Sequence, residues 1–148
     1  MKHLMPNITI YREKETFRVT DLKKIKIWIN QVIKRDGYKI GQINYFLVSD
    51  ETLLEMNKSQ LNHDYYTDII TFDMSEGGNY VEGDLYISYD RVKDNAKVFH
   101  VKQIEEMKRV MIHGVLHLMG YKDKSPNDIL EMKNKEDYSL RLYKKING

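Results

Sequence analysis

Two histidines and an aspartate in the C-terminal half of the chain are of types that hold metal ions: His113, His117 and Asp123. The histidines stand four residues apart. Side chains at that spacing lie on one face of an α-helix, so both imidazoles can address a single ion. Gly120 follows and supplies the left-handed conformation that ends a helix. Tyr121 and Lys122 then let the chain turn back and bring Asp123 towards the same point. Two imidazoles and a carboxylate form a zinc-binding set that leaves a fourth position for water, as a catalytic site requires. Such a water ionises near neutral pH and becomes a nucleophile, while the metal polarises the oxygen under attack. The chain has no cysteine, which excludes disulfides and thiolate ligands. The plainer alternative is a pair of satisfied core histidines, with Asp123 capping something local. Two histidines at helical spacing, a glycine turn and a carboxylate together favour one zinc ion in a hydrolase.

One residue bears on the kind of hydrolase. In the H-E-x-x-H arrangement of metalloproteases, the glutamate after the first histidine is the general base. Here that position holds Gly114, which cannot move a proton. Peptide hydrolysis by that route is not expected.

The elements that must position these residues follow from periodicity and punctuation. Ile8–Tyr11 alternates as a strand does. Thr20 or Asp21 offers an N-cap to a helix carrying Leu22, Ile25, Ile29, Val32 and Ile33, which stops near Gly37. Gln42–Val48 is β-branched and aromatic, hence a strand. Ser49 caps a short helix through Leu53, Leu54 and Met56. Asp68–Phe72 and Asp84–Ser88 read as strands around the turn-rich Ser75–Asn79. Helices follow over Tyr89–Phe99 and Val101–Met119. A last one starts at Ser125-Pro126, with Ser as cap and Pro at the first helical position. The Val101–Met119 helix is apolar on most sides in its second half, except for the stripe Glu105, Arg109, His113, His117, so it is buried. Strands first and then mostly helices predict an α+β fold: a small mixed four-stranded sheet packed with about five helices, the metal site lying on a buried helix.

The chain has 148 residues and 41% hydrophobic side chains, enough for one domain spanning residues 1–148 with a sizeable core. No apolar run approaches the ~20 residues of a membrane span, and no apolar stretch follows the first lysine as in a secretory signal. A soluble cytoplasmic protein is expected. Net charge is +2, but residues 50–89 carry one basic and nine acidic side chains between basic ends. Such a distribution suits a polyanion on one surface and a cation elsewhere, although a solvated lysine-rich surface is the commoner cause.

The stretch from His113 to Asp123, HGVLHLMGYKD, resembles the H-G-x-L-H-L-x-G-Y-D-H signature of the YbeY family of bacterial rRNA-maturation endoribonucleases. Thr67–Phe72 is similar to the family's T-D-V-L-S-F strand and Gly83–Ser88 to its G-D-I-x-I-S strand. Ser49-Asp50-Glu51 leading to Asn57 fits its short helix. The likeness covers roughly residues 40–125. It implies a zinc-dependent, single-strand-specific endoribonuclease that acts in 16S rRNA 3′-end maturation and ribosome quality control with the small ribosomal subunit. Three departures stand out. Asp123 replaces the family's third histidine, which lowers the net charge of a zinc site from +2 to +1 and predicts a less acidic bound water. Leu61 stands where the family carries an arginine, with His63 two residues on. Asp73 replaces a proline, a neutral change.

For phosphodiester cleavage, two further residues are candidates. Arg109 lies one turn before His113 and can contact phosphate, or pair with Glu105 or Glu106. Asp84 heads a strand and can orient a ligand histidine, or make a turn hydrogen bond. Tyr65, Tyr66, Tyr80 and Tyr86 are able to stack on bases, though packing is the commoner use. Two other functions fit the same residues: a ribosome-assembly factor that binds RNA around a structural zinc, and a zinc hydrolase of another substrate.

Overall fold

The computed structural model describes residues 7–61 and 67–148. In chain order the elements are β1 (Ile8–Arg12), α1 (Leu22–Arg35), β2 (Lys39–Val48), α2 (Asp50–Leu61), β3 (Ile69–Asp73), β4 (Tyr80–Ser88), α3 (Tyr89–Val98), α4 (Gln103–Leu118) and α5 (Pro126–Asn147). The strands form one mixed sheet in the order β1-β2-β4-β3. β1 and β4 lie parallel to β2, while β3 runs antiparallel to β4. This is the α+β arrangement of a four-stranded mixed sheet with five helices that the pattern of elements predicts.

β2 and β4 start earlier than their composition suggests, at Lys39 and Tyr80 rather than at Gln42 and Asp84. Lys39 pairs with Tyr80 and Ile40 with Val81, before the register shifts ahead of Ile43 and Gly83. A Cβ at Gly41 would overlap the side chain of Glu82. The extension is thus held by pairing with the partner strand across a register shift at Gly41, a relation local propensity does not reveal. At the start of α1, Asp21 takes the N-cap position in the left-handed region, φ 58°, and its side chain makes no capping bond. Ser49 does accept from the Thr52 amide at 3.1 Å. Ser125 and Asp128 form a reciprocal capping box with Pro126 at the start of α5.

The sheet's two faces are packed differently. Along β4, Val81, Gly83, Leu85 and Ile87 are buried, and the alternate residues Glu82, Asp84 and Tyr86 point the other way. The Leu85 face carries α4, as Gly114 shows: a Cβ there would collide with Leu85 Cδ2 and lie 2.7 Å from Ile69 Cδ1. Trp28 of α1 completes this core, edge-on to Tyr143 at 5.3 Å and donating Nε1–H to the Ser139 carbonyl at 2.6 Å. The buried Tyr45 hydroxyl donates to the Met111 carbonyl at 2.9 Å, tying β2 to α4. Each large apolar side chain buried here contributes about 1.5–3 kcal/mol.

Against the other face α2 closes a small cluster of Val48, Leu53 and Ile70. Beyond it runs a row of rings: Tyr11 on Phe46 at 5.0 Å, Phe46 on Tyr86 at 4.4 Å, and Phe72 edge-on to Tyr86 at 5.9 Å. Tyr86 therefore packs. Tyr80 is exposed, with Lys39 Nζ 5.8 Å above its ring. His63, Tyr65 and Tyr66 lie outside the described residues, and so does the side chain of Leu61. No helix among the described residues is long and apolar enough to cross a membrane.

Candidate metal centre

α4 buries Val110, Met111, Ile112, Val115 and Leu116 and leaves His113 and His117 half-buried on its remaining edge. The chain leaves the helix through Gly120 at φ 102°, a conformation that favours glycine. The turn carries Asp123 back over the histidines.

The imidazoles are oriented from behind. His113 Nδ1–H donates to Glu136 Oε2 at 2.6 Å, and His117 Nδ1–H donates to the Tyr121 carbonyl at 3.0 Å. A carboxylate and a carbonyl accept only, so they favour each ring's proton on Nδ1 and leave Nε2 free to face a metal. The two Nε2 atoms stand 3.0 Å apart, and Asp123 Oδ2 lies 3.1 Å from that of His117 and 3.5 Å from that of His113. Three donors at the ~2.0–2.1 Å bond lengths of zinc lie roughly 3.3 Å from one another, so the triangle fits such an ion. Two imidazole lone pairs at 3.0 Å repel each other unless a proton or a cation lies between them. His113, His117 and Asp123 are also the group of the described residues whose ligand atoms converge as a metal requires.

The surroundings are electronegative. Burial opposes a charge on His113, yet the hydrogen bond and charge of Glu136, with Asp68 and Asp123, outweigh it and raise its pKa above the usual value. Burial likewise pushes the Asp68 carboxyl up, and burial together with Asp68 does the same for Glu106. Carboxylates gathered about the paired imidazoles attract a divalent cation for the same electrostatic reason that they favour imidazolium at His113.

Arg109 lies one turn before His113, but its partners differ from the expected Glu105 or Glu106. It forks between Glu136 Oε1 at 2.8 Å and Asp137 Oδ1 at 2.7 Å, while Glu105 pairs with Lys108 at 2.9 Å. A planar guanidinium suits two carboxylates one residue apart on α5, and Glu136 in turn spans Arg109 and His113. Asp84 is not brought to the site. It lies on the face opposite α4, where Asn44 Nδ2 donates to its Oδ1 at 3.0 Å, because strand alternation turns it away from Leu85 and hence from the ligand helix. Glu136 is the residue sequence reasoning missed. It is buried among the largely exposed side chains of α5, and its separation of 23 residues from His113 carries no local periodicity.

A family model described as endoribonuclease YbeY matches residues 8–144. A Cytophaga hutchinsonii protein named endoribonuclease YbeY is 47% identical over 137 residues, covering 93% of this chain and 96% of the relative. A Flavobacterium psychrophilum protein of the same name is 52% identical over 116 residues, covering 78% and 82%. Among solved structures, a Thermotoga maritima protein determined in solution superposes with a TM-score of 0.62 at 25% identity, over 95% of this chain and 93% of that one.

Proposed function

We propose, from the premise that the chain belongs to the YbeY family of endoribonucleases, that it cuts single-stranded RNA with a zinc ion held by His113, His117 and Asp123. The relatives, matched over 96% and 82% of their own length, are named endoribonucleases, and the chain is an endoribonuclease by that membership. The finer assignment is 3′-end maturation of 16S rRNA and ribosome quality control in the cytoplasm, with the small ribosomal subunit as partner.

One observation carries the metal reading: both Nε2 atoms converge on Asp123 while both Nδ1 atoms are tied back. When bound there, zinc supplies a Lewis acid for a phosphoryl oxygen and acidifies water at the position the three ligands leave open. The chain's own residues provide the rest. Glu136 and the Tyr121 carbonyl hold the imidazoles at fixed tilt. Asp123, the most exposed of the three ligands, adds a negative charge at the mouth. Arg109 lines the same cleft as His113, and the guanidinium donors not used by Glu136 and Asp137 are offered to a substrate phosphate. No part in orienting the ligands is proposed for Asp84.

The engagement of Arg109 by two carboxylates favours a second reading, an RNA-binding assembly factor whose metal is structural. Cleavage of a single-stranded RNA by wild type and Asp123→Ala, with zinc content measured on both and on His117→Ala, separates the two. Loss of cutting together with loss of zinc supports the nuclease. Cutting that survives metal removal marks a contaminating nuclease and leaves the assembly factor standing.

A further inference from the structure

The cleft between α4 and α5 continues well past the ligands. It encloses about 1370 Å³ and is lined from His113 and Asp123, past Arg109, as far as Phe99, Lys102 and Lys144. His113 meets Glu136, while Lys108 Nζ sits 3.8 Å over the Tyr143 ring. α5 therefore runs antiparallel to α4, and its late residues Arg141 and Lys144 come level with the beginning of α4.

Charges sort along this cleft. In the inner half Arg109 is matched by Glu136 and Asp137, while Glu105, in the first turn of α4 beside Lys102, is already paired with Lys108. In the outer half Lys102, Arg141 and Lys144 are exposed, and among the described residues no carboxylate pairs with them. Beside them Phe99 is 58% and Val101 43% exposed at the junction of α3 and α4. Cations without partners next to an exposed aromatic ring are the means by which proteins hold single-stranded nucleic acid: charge follows the backbone, and the ring stacks under a base.

We propose that the outer half of the α4–α5 cleft is a subsite for one flank of a single-stranded RNA, with Lys102, Arg141 and Lys144 on its phosphates and Phe99 under a base. The assignment rests on the endoribonuclease reading. It adds where the strand runs beyond the cut. Lys102 lies about 16 Å from His113 at the helical rise, no more than about five steps of a strand stacked at ~3.4 Å each. A substrate must therefore extend several nucleotides past the scissile phosphate to reach these cations.

The test compares a long single-stranded RNA with an oligonucleotide reaching two nucleotides to either side of the cut. In Lys102→Ala/Arg141→Ala/Lys144→Ala the ratio of kcat/KM on the long to the short substrate should fall at least tenfold. Fluorescence anisotropy of the same protein with the long RNA should show the log–log salt slope reduced by about 2, at ~0.7 per phosphate contact. Phe99→Ala should weaken that binding about fivefold or more. A ratio that moves less than twofold, with an unchanged salt slope, overturns the subsite. So does equal competition by a duplex of the same sequence or by an acidic peptide, since either would make the surface a general anion contact. If wild type cuts neither RNA, the nuclease reading fails, and the binding measurement still decides the subsite.

Discussion

The two faces of the sheet are built to different tolerances. On the α4 face, Ile43, Tyr45, Leu47, Val81, Leu85 and Ile87 are fully buried, and Gly114 lets the helix approach until only a hydrogen fits against Leu85. On the α2 face, the rings of Tyr11, Phe46, Tyr86 and Phe72 stand partly in solvent beside the Asn44–Asp84 pair. The first packing fixes both the height and the rotation of a helix whose two imidazoles must meet to within a fraction of an ångström. The second closes the sheet without specifying any element that closely. A functional centre belongs on the face where a helix cannot roll, and the candidate ligands are carried by the helix on that face.

That contrast can be broken at graded cost. The largest effect is expected from His117→Ala, which should bring zinc content to background and remove cleavage, read by metal analysis and an RNA-cutting assay. Glu136→Gln keeps the shape behind His113 but loses the charge. It should weaken zinc binding about 10–100-fold in a competition titration.

The same variant sharpens a pH effect. In the metal-free protein the folded pKa of His113 is raised. Its protonation therefore stabilises the fold fully below the usual value of about 6.5, and that stability is lost as pH rises through the raised value. Thermal melts in chelator should show this slope in wild type and a shallower one in Glu136→Gln.

Gly114→Ala tests the close approach itself. Overpacking against Leu85 and Ile69 should cost about 1–3 kcal/mol and lower the melting temperature by several degrees, with weaker zinc binding because α4 is pushed off the sheet. On the opposite face, Tyr86→Leu should cost only about 0.5–1.5 kcal/mol of ring contact and leave zinc affinity where it was. The smallest change is Asp84→Asn, within about 0.5 kcal/mol and without effect on zinc. A clear fall in zinc affinity there would restore Asp84 as a residue that orients a ligand.

How much of this was legible beforehand depended on distance along the chain. His113, His117 and Asp123 could be grouped because helix period, a glycine and a two-residue turn connect them locally. The cap at Ser125 with Pro126 behind it and the four strands β1, β2, β3 and β4 were readable for the same reason. The first residues of β2 and β4 were not, because pairing with a neighbouring strand across a register shift holds them in place despite Gly41, Glu82 and Gly83. Glu136 was not, because its partner lies on another helix and a buried glutamate looks like any surface one in a polar helix. Arg109 shows the limit clearly: the stripe placed it correctly, but its partners came from α5 rather than from its own helix.

The short sequence span of the centre also has a bearing on timing. The three candidate ligands and the carboxylate behind them come from one helix, one turn and the first half of the next. A chain made from its N-terminus has finished every strand of the sheet before His113 leaves the ribosome. The core that joins α1, α4 and α5 to the sheet contains none of the three candidate ligands, unlike small zinc folds that stay unfolded until metal arrives. On the proposed metal assignment, scarcity of the ion during synthesis should therefore yield an assembled but idle enzyme, ready to be loaded later, rather than a chain lost to degradation.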